Sequence, residues 1–233
     1  MTRTTNARIA GVVFLLYIAT GITSMVLSGQ ITGGALETAA RLASIAEHAT
    51  LMRVNLLLTL LQVAYAVVLG VTLYALTRDE DRELAIMGLC CRVTEGVVGA
   101  TALIRSLALL SIATAGTTAA APDAAGSQAL ASLLFRMGSW TVVVAATCFA
   151  VGSLLFSYLF LRARSIPVWL AWLGVVASAL LVVALPLRLA GFVSGPVVTL
   201  YIWLPMLVFE VVFAFWLIIK GVATQARPAV RGR

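Results

Sequence analysis

Five ionisable side chains lie inside long apolar runs of this sequence. Ionisable residues are rare in such runs, so each one is a candidate for a specific role. The five residues are Arg92, Glu95, Arg105, Arg136 and Glu210. An unpaired charge near the centre of a bilayer costs about 2.5–3.5 kcal/mol on insertion scales, so such residues need partners. Clusters of this kind are typical of sites that bind protons, ions or small solutes.

The spacing of three of these residues predicts one cluster. Arg92 lies ten residues after Arg82, and Glu210 lies ten residues before Lys220. At the helical rise, each is about 15 Å from the end of its helix, near mid-membrane. Glu95, three residues after Arg92, shares its helix face. We therefore expect Arg92, Glu95 and Glu210 to meet between the third and sixth apolar spans.

Two interpretations of this cluster stay open. As a structural clasp, the paired charges would offset their own desolvation and specify which helices pack together. As a functional site, the cluster has one carboxylate more than its single arginine can neutralise. That surplus would suit a proton or a ligand.

A second group of polar residues is predicted near the opposite membrane surface. Arg105 and Arg136 lie 23 residues after Arg82 and 26 residues before Arg162, far enough to reach the headgroup level. Together with His48 and Arg53 they are candidates for a positive outer mouth that attracts an anionic lipid or solute. Ordinary snorkelling anchors at the interface are the alternative.

Enzymatic motifs are missing. The single histidine, His48, excludes a histidine-rich metal site and an H-E-x-x-H protease. Asp79, Asp81 and Asp123 fall in predicted loops, which removes the dyad of an intramembrane aspartyl protease. No G-x-S-x-G or Walker A pattern occurs. We expect no enzyme activity, no metal and no cofactor.

The composition requires a membrane. Of the 233 residues 62% are hydrophobic and 11% are charged, with a mean hydropathy of +1.07. Soluble domains carry roughly 45–50% apolar and about 25% charged residues, so a soluble fold could not bury this surface. The net charge of +7 is spread over short stretches beside apolar runs. This placement indicates contacts with lipid headgroups and not with nucleic acid.

The apolar runs predict an all-α bundle of about six transmembrane helices in one domain, with room for a seventh. The six predicted spans are about 9–27, 55–76, 84–112, 133–161, 168–187 and 197–219, and a basic tail follows at 220–233. Between the first two spans, Glu37, Arg41, Ser44 and His48 recur on one helical face. This pattern predicts a short interfacial helix over about 35–52.

Basic residues predict the orientation, because Lys and Arg beside spans are retained in the cytoplasm. One side of the predicted bundle holds ten of them: Arg3, Arg8, Arg78, Arg82, Arg162, Arg164, Lys220, Arg227, Arg231 and Arg233. The other side holds three: Arg41, Arg53 and Arg188. We expect both termini on the cytoplasmic side of a plasma membrane.

The order of motifs along the chain resembles a bacterial multi-pass membrane family known as domain of unknown function 4386. The motifs that carry the resemblance, from about residue 8 to 222, are Arg8-Ile9-Ala10-Gly11, Glu47 through Arg53, Leu73-Tyr74-Ala75-Leu76, Arg92-Val93-Thr94-Glu95, Arg164 through Leu170 with Gly174, and Glu210 with Trp216-Leu217 and Gly221. Arg136 departs from the smaller or histidine-type residue expected in relatives. The resemblance implies a membrane fold of six or seven helices and no assigned activity.

The sequence leaves two possible functions open. The first is a non-enzymatic membrane protein that binds or conducts a small solute, lipid or proton through the cluster. The second is an accessory or scaffold subunit that packs against a partner membrane protein or a second copy. The first predicts a cavity lined by the charged cluster, and the second predicts a dry, tightly packed interior.

Overall fold

Helices make up the whole of the regular structure that can be described. The computed structural model describes residues 2–32, 34, 37–115, 124–193 and 195–223, and no strand occurs within these ranges. The seven helices are α1 (Arg3–Thr32), α2 (Thr38–Glu47), α3 (Ala49–Thr77), α4 (Arg82–Ala115), α5 (Ala124–Arg162), α6 (Val168–Leu189) and α7 (Pro196–Ile219). The predicted all-α fold is confirmed.

Six of these helices are long and apolar enough to cross a membrane, and α2 is the exception. Each of the six predicted spans lies inside one of them. Large apolar side chains such as Leu57, Ile104 and Val142 are more than half exposed, as lipid-facing residues are. The chain is therefore a multi-pass membrane protein. The predicted tail at 220–233 lies outside the described residues from position 224 onward, as does Asp123.

The six long helices form a closed ring in the order α1, α3, α4, α5, α6, α7, with α7 returning to pack against α1. Helix α3 also contacts α5. Helices α4 and α7 stand on opposite sides of the ring, without backbone contact between their described residues. Side chains from these two helices can therefore face each other across the interior.

The seam between α1 and α7 depends on a glycine. A Cβ atom at Gly11 would lie 2.6 Å from the carbonyl oxygen of Ala214 and 2.7 Å from Cγ1 of Ile218. Small residues allow this close approach of helix backbones in membranes, where van der Waals packing replaces the hydrophobic effect between helices. Gly11 thus lets the last helix close the ring.

Ion pairs gather the polar ends of several helices at one end of the bundle, called here the charged end. Arg3 of α1 lies 3.8 Å from Asp79 in the turn between α3 and α4. Arg162 of α5 lies 3.0 Å from Glu80 and 3.3 Å from Asp81 in the same turn. These contacts fix the relative positions of α1, α3, α4 and α5 at this end.

Helix α2 covers the opposite end, called here the α2 end. The interfacial helix predicted over 35–52 is shorter in the structure, which corrects its bounds: α2 ends at Glu47 and the chain from Ala49 belongs to α3. His48 interrupts the helix because its backbone angles, φ −102° and ψ 32°, are not helical. Ile45 is buried in a separate apolar cluster with Ile31, Met52, Leu109, Leu110, Ala113 and Ala131.

Candidate binding cavity

The three predicted cluster residues are buried in the interior of the ring. Arg92, Glu95 and Glu210 have relative exposures of 1%, 6% and 7%. Arg92 and Glu95 project from one turn of α4, and Glu210 projects from α7 on the other side. Glu210 is close enough to interact electrostatically with both. The closed ring brings together residues more than 100 positions apart in the sequence.

Arg92 is held by one carboxylate and two aromatic rings. Its Nη1 lies 2.9 Å from Oε2 of Glu95, an ion pair whose angles do not meet hydrogen-bond geometry. Its guanidinium carbon lies 5.0 Å from the centre of the Phe149 ring and 5.5 Å from that of Tyr17. Cation–π contacts of this kind compensate part of the desolvation of a buried arginine. Because the ion pair lies within α4, it does not itself join α4 to α7.

Tyr17 of α1 makes the cross-helix contact to this pair. Its hydroxyl donates a 2.5 Å hydrogen bond to Oε1 of Glu95. Each oxygen of Glu95 therefore has its own partner: Arg92 at Oε2 and Tyr17 at Oε1. Tyr17 is not among the residues predicted from the sequence. The available signal is a phenol in the middle of an apolar helix, where a buried hydroxyl needs an acceptor.

Glu210 differs from Glu95 in having no ion-pair partner among the described residues. Its Oε1 is buried and has no hydrogen-bond partner among the described residues. No arginine or lysine within the described ranges lies at ion-pair distance from it, since Arg92 pairs with Glu95. A buried carboxylate oxygen without a donor is costly unless a proton or a cation neutralises the group.

Glu95 and Glu210 line one cavity of about 390 Å³. Its walls come from α1, α3, α4, α5 and α7, and α6 does not contribute. The cavity extends along α4 from Glu95 to Arg105, ten residues that span about 15 Å. It therefore runs from the middle of the bundle toward the α2 end.

A row of uncharged polar residues lines the wall formed by α1 and α3. Asn55, Thr59 and Gln62 follow one another at helical spacing on the inner face of α3. On α1, Ser24 donates to Oδ1 of Asn55 at 2.7 Å, and Asn55 donates to Ser28 at 3.2 Å. The hydroxyl and amide groups give the cavity hydrogen-bonding capacity throughout its length. Their spacing along α3 is the sequence signal that could have identified them.

The four outer-mouth candidates are separated in the structure. Arg105 lines the cavity and packs closely over Gly138 of α5, where a Cβ would lie 2.5 Å from its Nη1. Arg136 lines a different pocket, together with Arg41. His48 donates from Nδ1 to the Ser44 carbonyl at 2.9 Å, and Arg53 is exposed. Neither His48 nor Arg53 lines either pocket.

Metal-binding groups are not assembled in the part of the chain that the structure describes. No three His, Cys, Asp or Glu side chains there come together in a way that could hold a metal ion. Cys90, Cys91 and Cys148 are free thiols on α4 and α5. The groups that line the cavity are thus carboxylates, amides, hydroxyls, aromatic rings and the guanidinium of Arg105.

No curated protein and no solved structure matches this chain. Residues 9–221, which include all six membrane-spanning helices almost completely, match the family described as "Domain of unknown function (DUF4386)". The expected resemblance is thereby confirmed over nearly the whole sequence. This chain belongs to the DUF4386 family.

Proposed function

We propose that this protein binds a small cation carrying hydrogen-bond donors, such as a protonated amine, in the cavity between α1, α3, α4, α5 and α7. The observation that carries this proposal is the unpartnered, buried oxygen of Glu210 in the cavity wall. The Arg92–Glu95 pair is neutral as a unit, so Glu210 gives the inner end of the cavity a surplus negative charge. Arg105, the other cation in the wall, lies ten residues beyond Glu95, about 15 Å away toward the α2 end. A cationic ligand neutralises the charge of Glu210 without exposing it to lipid.

The other lining groups favour a polar ligand of limited size. Asn55, Thr59 and Gln62 supply acceptors for ligand N–H groups. Trp203 also lines the cavity and stacks on Phe149 at 6.0 Å between ring centres. Aromatic faces beside carboxylates are a common environment for alkylammonium groups. A volume of about 390 Å³ is at the small end of ligand pockets.

Binding is favoured over open conduction by the packing below the cluster. Toward the charged end, Phe14, Phe209 and Phe213 pack ring against ring, with Phe14 and Phe213 5.7 Å apart and Phe209 and Phe213 5.3 Å apart. Phe160 packs on the same group. All four of these apolar rings are buried. Passage of a solute through the bundle would require a second conformation that opens this aromatic layer.

The accessory-subunit alternative is less well supported. It expects a dry interior, whereas the interior holds a polar cavity with two carboxylates in its wall. The exposed apolar side chains are distributed over all six long helices, as contact with lipid requires. A binding role accounts for the buried polar groups, and a scaffold role does not.

The test is thermal unfolding of the purified protein in detergent, with cation panels at constant ionic strength. We expect ethylammonium or guanidinium chloride to raise the Tm relative to sodium chloride, whereas tetramethylammonium and potassium chloride, whose cations carry no hydrogen-bond donor, should leave it unchanged. A ligand at 100 times its Kd adds about 2.7 kcal/mol to the free energy of unfolding. The Glu210→Gln variant should lose this shift.

Glu83→Gln is the matched control, because Glu83 is an exposed carboxylate in the first turn of α4, outside the cavity. It should keep the cation-dependent shift. A shift that persists in Glu210→Gln, or the lack of any shift across the panel in the folded wild-type protein, would refute the proposal.

We further propose that the charged end faces the cytoplasm at a plasma membrane, with the cavity approached from the α2 end on the outer side. Arg3, Arg78 and Arg162 meet at the charged end, and Lys220 closes α7 there. Such an excess of basic residues beside spans is the mark of a cytoplasmic surface. In a bacterial host, a C-terminal green fluorescent protein fusion should fluoresce and an alkaline phosphatase fusion should be inactive; the reverse pattern would contradict this orientation.

A further inference from the structure

We propose a second binding site, for a phosphate group, in the pocket between the first turn of α2 and the first half of α5. The pocket has a volume of about 430 Å³ and is lined by Thr38, Arg41, Ser132, Phe135, Arg136 and Ser139. It is distinct from the cavity that holds Glu95 and Glu210, with which it shares no lining residue. The proposal does not depend on the proposed cation site.

Arg41 is positioned for anion binding by an aromatic ring. Its guanidinium carbon lies 3.6 Å from the centre of the Phe135 ring, so the group sits on the ring face. Stacking of this kind leaves the N–H groups at the guanidinium edge available for a planar, bidentate contact with phosphate oxygens. The Nε of Arg41 is buried and has no hydrogen-bond partner among the described residues.

The two charged residues that line the pocket, Arg41 and Arg136, are both positive. Neither Arg41 nor Arg136 lies within ion-pair distance of a carboxylate in the described ranges, although four other arginines do. Arg105 is close enough to Arg41 for their like charges to interact. Burial lowers the pKa of Arg41 from its ordinary value, and no nearby carboxylate offsets this effect. An anion in the pocket would relieve the repulsion between these arginines.

The remaining lining groups indicate which anion. Thr38 begins α2, and the first N–H groups of a helix lack internal partners and favour phosphate. The hydroxyls of Ser132 and Ser139 donate to the carbonyls of Ala129 and Arg136, at 2.8 Å each, so their oxygens remain as acceptors. Acceptors beside cationic donors suit a phosphate that carries hydroxyl groups, such as glycerol phosphate.

The level of the pocket in the membrane fits such a ligand. Arg136 lies 26 residues before Arg162, which is at the charged end, so the two are separated by about 39 Å along α5. That distance exceeds the hydrocarbon thickness of about 30 Å, which places Arg136 at the headgroup level. The phosphate can therefore belong to an anionic phospholipid or to a soluble phosphate ester.

Native mass spectrometry of the full chain in detergent tests the site and identifies the source of the phosphate. The probes are dioleoylphosphatidylglycerol, dioleoylglycerol, which lacks the phosphate, and soluble glycerol 3-phosphate. We expect a discrete adduct with at least one phosphate probe and none with dioleoylglycerol. An adduct with the lipid alone assigns a lipid headgroup, and an adduct with glycerol 3-phosphate assigns a soluble ester.

The double variant Arg41→Gln/Arg136→Gln should weaken the phosphate adduct by about tenfold or more, because two charge-assisted contacts are removed. The matched control is Arg53→Gln/Arg188→Gln, which removes the same charge from exposed arginines outside the pocket. Equal weakening in both variants would mean that surface charge alone attracts the probe, and would overturn the proposal.

A conservative pair separates binding from folding. Arg41→Lys/Arg136→Lys keeps the charge but loses the planar geometry, so it should bind phosphate more weakly than wild type with an unchanged helical circular dichroism spectrum. Wild-type affinity in either pocket variant, or no phosphate adduct with the folded wild-type protein, would refute the site.

Discussion

Three charged residues in the interior of this protein divide into an ion pair, Arg92 with Glu95, and a carboxylate without an ion-pair partner, Glu210. Both oxygens of Glu95 are engaged, by Arg92 and Tyr17, whereas Oε1 of Glu210 has no donor among the described residues. A clasp and a binding site need not exclude each other here. The Arg92–Glu95 pair has the features of a structural element, and Glu210 has those of a ligand group.

Removing one member of the Arg92–Glu95 pair should cost more than removing both. Arg92→Gln leaves Glu95 and Glu210 without their cation, and breaking a buried ion pair from one side costs about 3–5 kcal/mol. In Arg92→Gln/Glu95→Gln, part of this loss should be recovered, because one uncompensated charge is gone. Unfolding titrations in detergent for the two single variants and the double variant give the coupling energy. Strictly additive effects would show that the pair is not coupled.

At the scale of helices, close contact between backbones replaces the amphipathic packing of soluble proteins. The contact between α1 and α7 closes the ring at Gly11, while Gly21, ten residues later on α1, faces open space. The two glycines lie in the same helix and differ only in what surrounds them. A substitution at Gly21 therefore reports on helix propensity alone, whereas a substitution at Gly11 also reports on the packing of α1 against α7.

Alanine at these two positions should have opposite effects on stability. Gly11→Ala forces a methyl group against the Ala214 carbonyl, and overpacking of this kind costs about 1–3 kcal/mol. Gly21→Ala meets no atom within 4 Å and should be neutral or slightly stabilising, because alanine is the better helix former. The difference in Tm between the two variants measures how much the close packing of α1 against α7 contributes to stability. Equal Tm values would indicate that α1 and α7 do not pack as described.

The whole molecule is a ring of helices around a cavity that is polar toward the α2 end and closed by aromatic residues toward the charged end. The cation site and the phosphate pocket both lie in the half nearer α2. On these two proposals, the α2 end serves recognition and the charged end serves structural closure.

Filling the cavity should abolish binding without disturbing the ring. Gly99 lines the cavity, and a Cβ there would meet no atom within 4 Å. Gly99→Trp should therefore remove the cation-dependent rise in Tm while leaving the Tm without ligand close to that of wild type. Gly29→Trp, at an exposed position of α1 with similar free space, is the control and should keep the response. A full response in Gly99→Trp would place the cation elsewhere.

The amino-acid sequence by itself determined the six apolar helices, because 20 or more consecutive apolar residues leave the backbone no stable state in lipid other than a helix. It also determined that Arg92 and Glu95 share a helix face, since that contact is local. The end of α2 could not be predicted from the sequence, because no proline or glycine marks the interruption at His48. The interruption depends on how α2 packs over Ile31 and Leu109.

Only the tertiary structure decided which sides of the helices face inward. The long helices are apolar on all sides, so no hydrophobic stripe marks the interior, and the ring closure at Gly11 selects the inner faces. That choice brings Tyr17 to Glu95, turns Asn55 and Gln62 into the cavity, and sets Glu210 opposite α4. These contacts join distant segments whose meeting depends on packing between helices, and the spacing of residues along one helix carries no information about it.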